Sequence, residues 1–437
     1  MSDSELVAFV CCDLGSIVRG RSLPASELGA RLDSGVGWTP ANHALTPLGD
    51  LAEPNPFGPL GDVRLIGDAS TRVRLEAGPG HSALELVLCD IVETGGEPWP
   101  CCPRRFLREA LRDLEDELGM RLLASFEHEF QLSIEAPSPP PFSLEALRAA
   151  EPLPARVMAA LSEAGLEPEL ITSEYAPHQF EIPLGPAEGL SSADRSIVLR
   201  VLVGEIARRG ELRASFAPLL DPAGTGNGLH IHFSLLDGDG RPALYDAARP
   251  GSLSELGERF AAGILLHARA LSALTAPSPA SAPRLEPHRW GAGAVCLAQQ
   301  NREALLRIPP LVGLAGAEPA PQLRLEYRGA DAAANPYLAL GAIVRAGLDG
   351  VRRGLPAPPI LDLDPSELDE REAARYGVGA LPASLEESLA ALEADDTVRG
   401  WMPALLHDAY LAVKRAELEA VAGLDLGEVC RRYAAIY

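Results

Sequence analysis

Residues 122–132 read Leu-Leu-Ala-Ser-Phe-Glu-His-Glu-Phe-Gln-Leu. Successive side chains of a strand point to opposite faces. Leu122, Ala124, Phe126, Phe130 and Leu132 therefore share one face, and Ser125, Glu127, Glu129 and Gln131 the other. The same alternation recurs three times downstream. In 179–184, Phe180, Ile182 and Leu184 oppose Gln179 and Glu181; in 229–235, Leu229, Ile231, Phe233 and Leu235 oppose His230, His232 and Ser234. In 323–328, Leu323, Leu325 and Tyr327 oppose Arg324, Glu326 and Arg328. The pattern predicts four half-buried strands, each with an apolar back and a chemically active front. His128 falls on the apolar side and reads as a core histidine.

Other stretches predict the scaffold. Apolar runs at 6–12, 62–66 and 84–90 read as strands, and 35–37 and 53–61 read as loops. Together they predict a small β-rich domain ending near 99–103. Pro103 opens a helix whose apolar residues recur at helical spacing up to Leu118, with Gly119 to cap it. Further helices are expected at 153–165, at 191–209 with Ser191 or Ser192 at the N-cap, at 253–275, and from Asn335-Pro336 to about 353. Asn335 reads as a helix cap. The chain beyond 365 is expected to be helical, with starts near Ser384 and Pro403. The fold class is α+β: a smaller domain over 1–100, then a larger one over 101–437.

Composition narrows the function. The chain has 437 residues and a formal net charge of -23, with Lys414 as its only lysine. Such acidity argues against nucleic acid and against an anionic membrane surface. Cys11, Cys12, Cys89, Cys101, Cys102, Cys296 and Cys430 match no zinc spacing. An odd cysteine count and an acidic N-terminus without a cleavable signal lead us to expect reduced thiols in a cytoplasm. The longest apolar runs are too broken to span a bilayer.

The four polar fronts collect Glu127, Glu129, Glu174, Glu181, His230 and Glu326, with Arg324 and Arg328 beside them. Two carboxylates on one strand face repel. They read either as a solvated surface or as hard oxygen ligands for Mg²⁺ or Mn²⁺. Arginines among them suit anionic groups, carboxylate or phosphate. The combination suggests phosphoryl transfer with metal ions as charge neutralisers.

The motifs are more specific than the pattern. Glu127-His128-Glu129 comes first, then Glu174-Tyr175-Ala176-Pro177-His178-Gln179-Phe180-Glu181, then Gly226-Asn227-Gly228-Leu229-His230-Ile231-His232-Phe233-Ser234-Leu235. Asn301-Arg302-Glu303-Ala304, Arg307-Ile308-Pro309, Arg324-Leu325-Glu326-Tyr327-Arg328 and Ala334-Asn335-Pro336-Tyr337-Leu338 follow, and Gly67-Asp68-Ala69-Ser70-Thr71 lies upstream. In order and spacing this resembles the glutamine synthetase family over nearly the whole chain.

The resemblance implies a β-grasp-like N-terminal domain and a catalytic domain with a curved antiparallel sheet backed by helices. It implies ATP, an amino-acid carboxylate and two or three Mg²⁺ or Mn²⁺ ions. Glu129, Glu174 and Glu181 would hold one ion, and Glu127, His230 and Glu326 the other. Gly226, Arg284, Arg302 and Arg328 would bind the acid substrate. Arg302, Arg307 and Arg324 would meet the phosphates, and His232 and Ser234 the nucleotide. Glu129, Arg302, Arg307 and Trp290 are the residues expected to carry the chemistry. His232 also reads as a structural hydrogen-bonder, and Arg307 and Arg324 also read as partners of the ligand glutamates. The family builds rings whose sites lie between subunits, so a homo-oligomer, a dodecamer, is expected.

Five departures qualify the resemblance. Ammonium-using members carry a glutamate on the loop after the first substrate arginine, where Arg284-Leu285-Glu286-Pro287-His288-Arg289-Trp290 places Trp290. Their N-terminal latch carries an acid, where Gly37-Trp38-Thr39-Pro40-Ala41 has none. Both exchanges put apolar surface where an ammonium ion needs negative charge, and Trp38 and Thr39 are expected beside a neighbour's amine entrance. Thr225 replaces an asparagine beside the acid-binding glycine, and His178 replaces a glycine before Gln179. The tyrosine that carries adenylylation in some members is missing from 360–363. The sequence resembles the branch that joins glutamate to organic amines, with a monoamine or aromatic amine favoured over a polyamine. An ammonium-dependent glutamine synthetase and a non-catalytic family member are the competing readings.

Overall fold

The computed structural model describes residues 5–289 and 291–437. The expectation resting on Trp290 therefore lies outside the described residues. The N-terminal strands are β1 (Leu6–Cys12), β2 (Val18–Pro24), β3 (Val36–Trp38), β4 (Val63–Gly67), β5 (Val73–Leu75) and β6 (Leu84–Glu93). They form one sheet in the order β2-β1-β6-β4-β3, with β5 added to β6. A short helix, Leu28–Ser34, packs on β4. The stretch 35–37 was read as a loop and is instead β3, with Val36 opposite Leu65 and Trp38 opposite Val63. A glycine-flanked three-residue strand has no periodicity to read; only its pairing partner defines it.

The second sheet is built from β7 (Arg121–Leu132), β8 (Thr172–Ser173), β9 (Gln179–Pro183), β10 (Ala187–Glu188), β11 (Ala214–Ser215), β12 (Leu229–Leu236), β13 (Ala294–Gln299), β14 (Ala304–Ile308) and β15 (Leu325–Tyr327). Its order is β13-β14-β15-β12-β7-β9-β8, with β10 and β11 pairing the ends of β7. Pairing is antiparallel except between β13 and β14, which run parallel. Those two strands escaped the sequence pattern because they are buried almost throughout and show no polar alternation. The four strands with polar fronts are β7, β9, β12 and β15, and they stand side by side.

The apolar back of this sheet is the core. Phe126, Phe130, Phe180, Ile231 and Phe233 are buried there, against helices that include Leu190–Arg209. His128 sits among them, fully buried, with Nε2 2.8 Å from Ser196 Oγ. Behind, helix Pro336–Arg352 packs between Pro103–Leu118 and Glu255–Leu266. Asn335 caps it, accepting from the amides of Tyr337 and Leu338. A Cβ on Gly263 would stand 2.0 Å from Ala346 O and 2.7 Å from Gly350 N, so glycine is what lets these two backbones touch.

Two helix boundaries differ from expectation. The 253–275 pattern breaks into Glu255–Leu266 and Ala268–Thr275 at His267, whose ring lies 2.6 Å from Asp395 and 3.0 Å from Asp349. The N-cap of Leu190–Arg209 is Gly189, and Ser192 Oγ donates to its carbonyl instead of capping an amide. No described helix is long and apolar enough to cross a membrane.

One buried cation ties the N-terminal sheet to a helix packed on the second sheet. Arg104 donates to Asp68 at 2.7 Å and Asp90 at 3.1 Å from the N-terminal strands and turns. It also grips both oxygens of Asp194, at 3.0 and 2.8 Å, on helix Leu190–Arg209. Removing one partner of a buried ion pair leaves the other desolvated and unpaired. Arg104→Ala should therefore destabilise the fold by about 3–5 kcal/mol, measured by denaturant unfolding. A loss below about 1 kcal/mol, the range of exposed pairs, would mean that Arg104 does not make this tie.

Candidate active site

Sheet register assembles the polar fronts. On β7 and β12, Glu127 lies opposite His230, and Ser125 opposite His232. His232 is in turn opposite Glu326 on β15, and Glu326 opposite Arg307 on β14. On the other side of β7, Glu129 faces Glu181 of β9. All of these except Ser125 open into a cavity of ≈ 640 Å³, which Glu174, Gly226, Arg284, Arg302, Arg324 and Arg328 also line. A second cavity of ≈ 280 Å³ shares Glu127, His232 and Arg324 with the first and adds Ser125, Ser234 and Gln322. Ser234 thus stands beside the main cavity, in its extension.

The two flanks of β7 differ electrically. On the β12 side the carboxylates have partners. Glu127 approaches His232 Nε2 at 2.9 Å and His230 Nδ1 at 3.2 Å. Burial opposes its charge, but the two imidazoles hold it well below the usual carboxylate range. Glu326 has Arg328 on Oε1 and Arg307 on Oε2, the latter at 2.7 Å. Burial again opposes the charge, and Arg328 with the imidazoles brings Glu326 down to about 2. On the β9 side compensation is weak, with Arg302 the one cation acting on both carboxylates there. Burial, then repulsion from Glu127, Glu129 and Glu174, pushes Glu181 up to about 9. Burial and Glu129 push Glu174 up to about 7.

Two sets of donor atoms are compact enough for one ion each. Glu127, His232 and Glu326 form one, with their atoms within 4.8 Å of one another; Glu127, Glu181 and His230 form the other. Glu129 and Glu174 line the same cavity outside these sets. This grouping differs from the one the family resemblance implies, and it brings His232 beside the carboxylates. Arg324 Nε donates to His232 Nδ1 at 3.1 Å. That turns Nε2 toward the carboxylates, where it is buried without a hydrogen bond among the described residues. With Nδ1 accepting, Nε2 carries the ring proton, so His232 presents an N–H to Glu127 Oε1 at 2.9 Å, whereas the two carboxylates and the imidazole of Glu127, Glu181 and His230 are the donor chemistry of a divalent ion.

Arg307 takes the salt-bridge role that was one of its two readings, whereas Arg324 binds an imidazole. Arg328 also donates to Arg302 O at 2.8 Å. Arg284 is buried and held through Ala330 O at 2.8 Å, with its Nε unbonded among the described residues.

The loop before β12 is clamped by residues that the sequence reading left without a role. Gln179 Nε2 lies 3.1 Å from Glu129 Oε2, 2.9 Å from Gly226 O and 2.9 Å from Asn227 Oδ1. Gly228 N donates to Glu129 at 2.9 Å. Glu129 is thereby anchored. A Cβ on Gly226 would lie 2.3 Å from Pro218 O and 2.6 Å from Arg284 Cγ, so only glycine lets this loop seat Arg284. His178 adopts a left-handed backbone, φ 51°, a conformation that favours glycine. Its ring reaches Ala136 O at 2.8 Å and is not part of the cavity wall.

Two more residues escaped the sequence reading: Arg289, which lines the cavity and donates to Pro222 O and Gly224 O, and Phe142, in a loop without periodicity. Trp38 corrects an expectation. It is 6% exposed within its own subunit's core, which leaves little indole surface for a neighbour's site.

Comparison with known proteins agrees with this geometry. The family model "Glutamine synthetase, catalytic domain" matches residues 100–424, and "Glutamine synthetase N-terminal domain" matches residues 1–99. The γ-glutamylpolyamine synthetase GlnA3 of Streptomyces coelicolor is 34% identical over 98% of this chain and 92% of its own length. A glutamine synthetase of Methanocaldococcus jannaschii is 31% identical over 82% of this chain and 79% of its own. Among solved structures, a novel glutamine synthase homolog superposes with TM-score 0.93 at 44% identity, covering 100% of this chain and 99% of that one. A GmaS/ADP complex superposes with TM-score 0.81 at 28% identity over 96% of each chain.

Fold and site together define an ATP-dependent ligase. The chain belongs to the glutamine synthetase family, whose enzymes use ATP and divalent metal ions, and its donor sets fit such ions.

The weakly compensated flank generates a prediction. In metal-free protein, Glu181→Gln removes the carboxylate whose charge is most opposed, so the variant should melt higher than wild type. For a carboxyl whose folded pKa is raised, stability is full below the unfolded value and falls as pH rises toward the folded one. The advantage of Glu181→Gln should therefore grow from near pH 4.5 up to about pH 9. Thermal melts with a chelator across that range are the measurement, and an advantage that shrinks with pH would refute the repulsion.

Proposed function

We propose that the protein joins the γ-carboxylate of glutamate to an organic amine, using ATP and passing through an acyl phosphate. The observation that carries this reading is the loop 284–290. It follows a cavity-lining arginine, yet ends in Trp290 where ammonium-using members of the family bear a glutamate. The similarity to a γ-glutamylpolyamine synthetase supports it.

In this reading a carboxylate oxygen of glutamate attacks the γ-phosphorus of ATP, and ADP leaves. The neutral amine then attacks the acyl carbon, loses a proton, and expels phosphate. Arg284 and Arg328 hold the acid substrate, with the backbone at Gly226 beside them. Arg302, Arg307 and Arg324 meet the phosphates and the charge that develops during transfer. His232 and Ser234 border the nucleotide. Glu127, Glu129, Glu174, Glu181, His230 and Glu326 hold two or three Mg²⁺ or Mn²⁺ ions, which neutralise phosphate charge when bound. Residues 1–100 act as the N-terminal domain and 101–437 as the catalytic domain of a cytoplasmic homo-oligomer, a dodecamer with sites shared between subunits. Light scattering tests the assembly.

An apolar wall cannot replace a carboxylate for ammonium, because the ion keeps its charge and loses its counter-charge. An alkyl or aryl amine instead buries carbon against the indole. At about 25 cal/mol per Å² of apolar area, a small alkyl group contributes roughly 1–2 kcal/mol. The expected preference over ammonia is about five- to thirtyfold in kcat/KM, and Trp290→Glu should shift the ratio toward ammonia. A wild type that prefers ammonia would make the protein a glutamine synthetase. A ratio untouched by Trp290→Glu would remove Trp290 from amine selection.

A further inference from the structure

Phe142 and Tyr175 are among the large apolar side chains left exposed, at 51% and 46%, and both line the main cavity. Their ring centroids are 4.9 Å apart with planes at 85°, an edge-to-face pair. Phe142 lies in the loop before helix Leu144–Ala149, at φ 58°. A bulky residue there is strained, and such strain persists where the surroundings over-determine it, commonly at ligand sites. Tyr175 follows Glu174 directly, at the start of the loop that leads into β9. The corner thus pairs two independent chain segments, one strained and both apolar, on the wall of an otherwise charged cavity.

We infer that Phe142 and Tyr175 form the recognition corner for the carbon body of the amine, and that this body is an apolar alkyl or aryl group. The inference rests on the reading of the protein as a glutamate–amine ligase and names its substrate class. The amine nitrogen must reach the acyl carbon on the side of the arginines and carboxylates. A carbon body pointing away from that charge meets the only aromatic surface among the described cavity-lining residues besides the histidines. An edge-to-face corner accepts a flat ring or an alkyl chain against its exposed faces. The far ammonium of a diamine finds no carboxylate on the described cavity wall beyond the five that the proposed function gives to metal ions, and six arginines share that wall. A monoamine has no such second charge to place.

The experiment measures kcat/KM for methylamine, pentylamine, 1,5-diaminopentane and benzylamine in wild type, Phe142→Ala, Tyr175→Ala and Tyr175→Phe. Wild type should prefer pentylamine over the diamine of equal length. The benzylamine-to-methylamine ratio should fall by about tenfold in either alanine variant, the scale of one lost aromatic contact, carried by KM more than kcat. Tyr175→Phe should retain the ratio. An unchanged ratio in both alanine variants, with wild type still ligating amines, overturns the corner and leaves the ligase reading standing. Preference for the diamine overturns the apolar class. A wild type that ligates no organic amine overturns the ligase reading and the corner with it.

Discussion

The structure is organised around carboxylates that register forces together and only one flank neutralises. Glu129 and Glu181 sit directly opposite on β7 and β9, and Glu127 lies one alternation away on the same face. Toward β12 and β15 the sheet supplies His230, His232, Arg307 and Arg328, and Glu127 and Glu326 ionise readily. Toward β9 only Arg302 opposes the repulsion, and Glu174 and Glu181 resist ionising. A sheet with one compensated and one weakly compensated flank has half of an ionic lattice built in. A divalent cation would complete it.

The rest of the scaffold keeps those charges from moving apart. Gln179 links β9 to Glu129 and to the 226–228 loop in one side chain. Asn227 fastens that loop to the carbonyls of Ser215 and Ala217. Behind the sheet, glycine-mediated helix contacts and the Phe126–Phe130–Phe180 core fix the strands' backs. Repulsion in front is tolerated because the apolar face buries enough surface to hold the register.

The sequence made the four polar-fronted strands legible because a half-buried strand writes its two faces as a period of two. It left β13 and β14 illegible because strands buried on both faces write no period. The break at His267 was hidden for a different reason: its partners Asp349 and Asp395 are 82 and 128 residues away. In the site, motif order identified the residues that meet in the cavity. It could not give their grouping, because which nitrogen of His232 faces Glu127 depends on Arg324 binding the other. Nor could it give Phe142, which sits in a loop whose conformation no local pattern encodes. The burial of Trp38 was not legible because it depends on pairing β3 with β4.

The central claim is that this sheet face is a divalent-cation site. Titrating Mn²⁺ into the metal-free protein at neutral pH, with free Mn²⁺ followed by electron paramagnetic resonance, tests it most directly. The account predicts saturable loss of the free-ion signal, reversed by excess Mg²⁺. A chain that leaves Mn²⁺ free at every concentration, with and without ATP beyond the nucleotide's own binding, would contradict it.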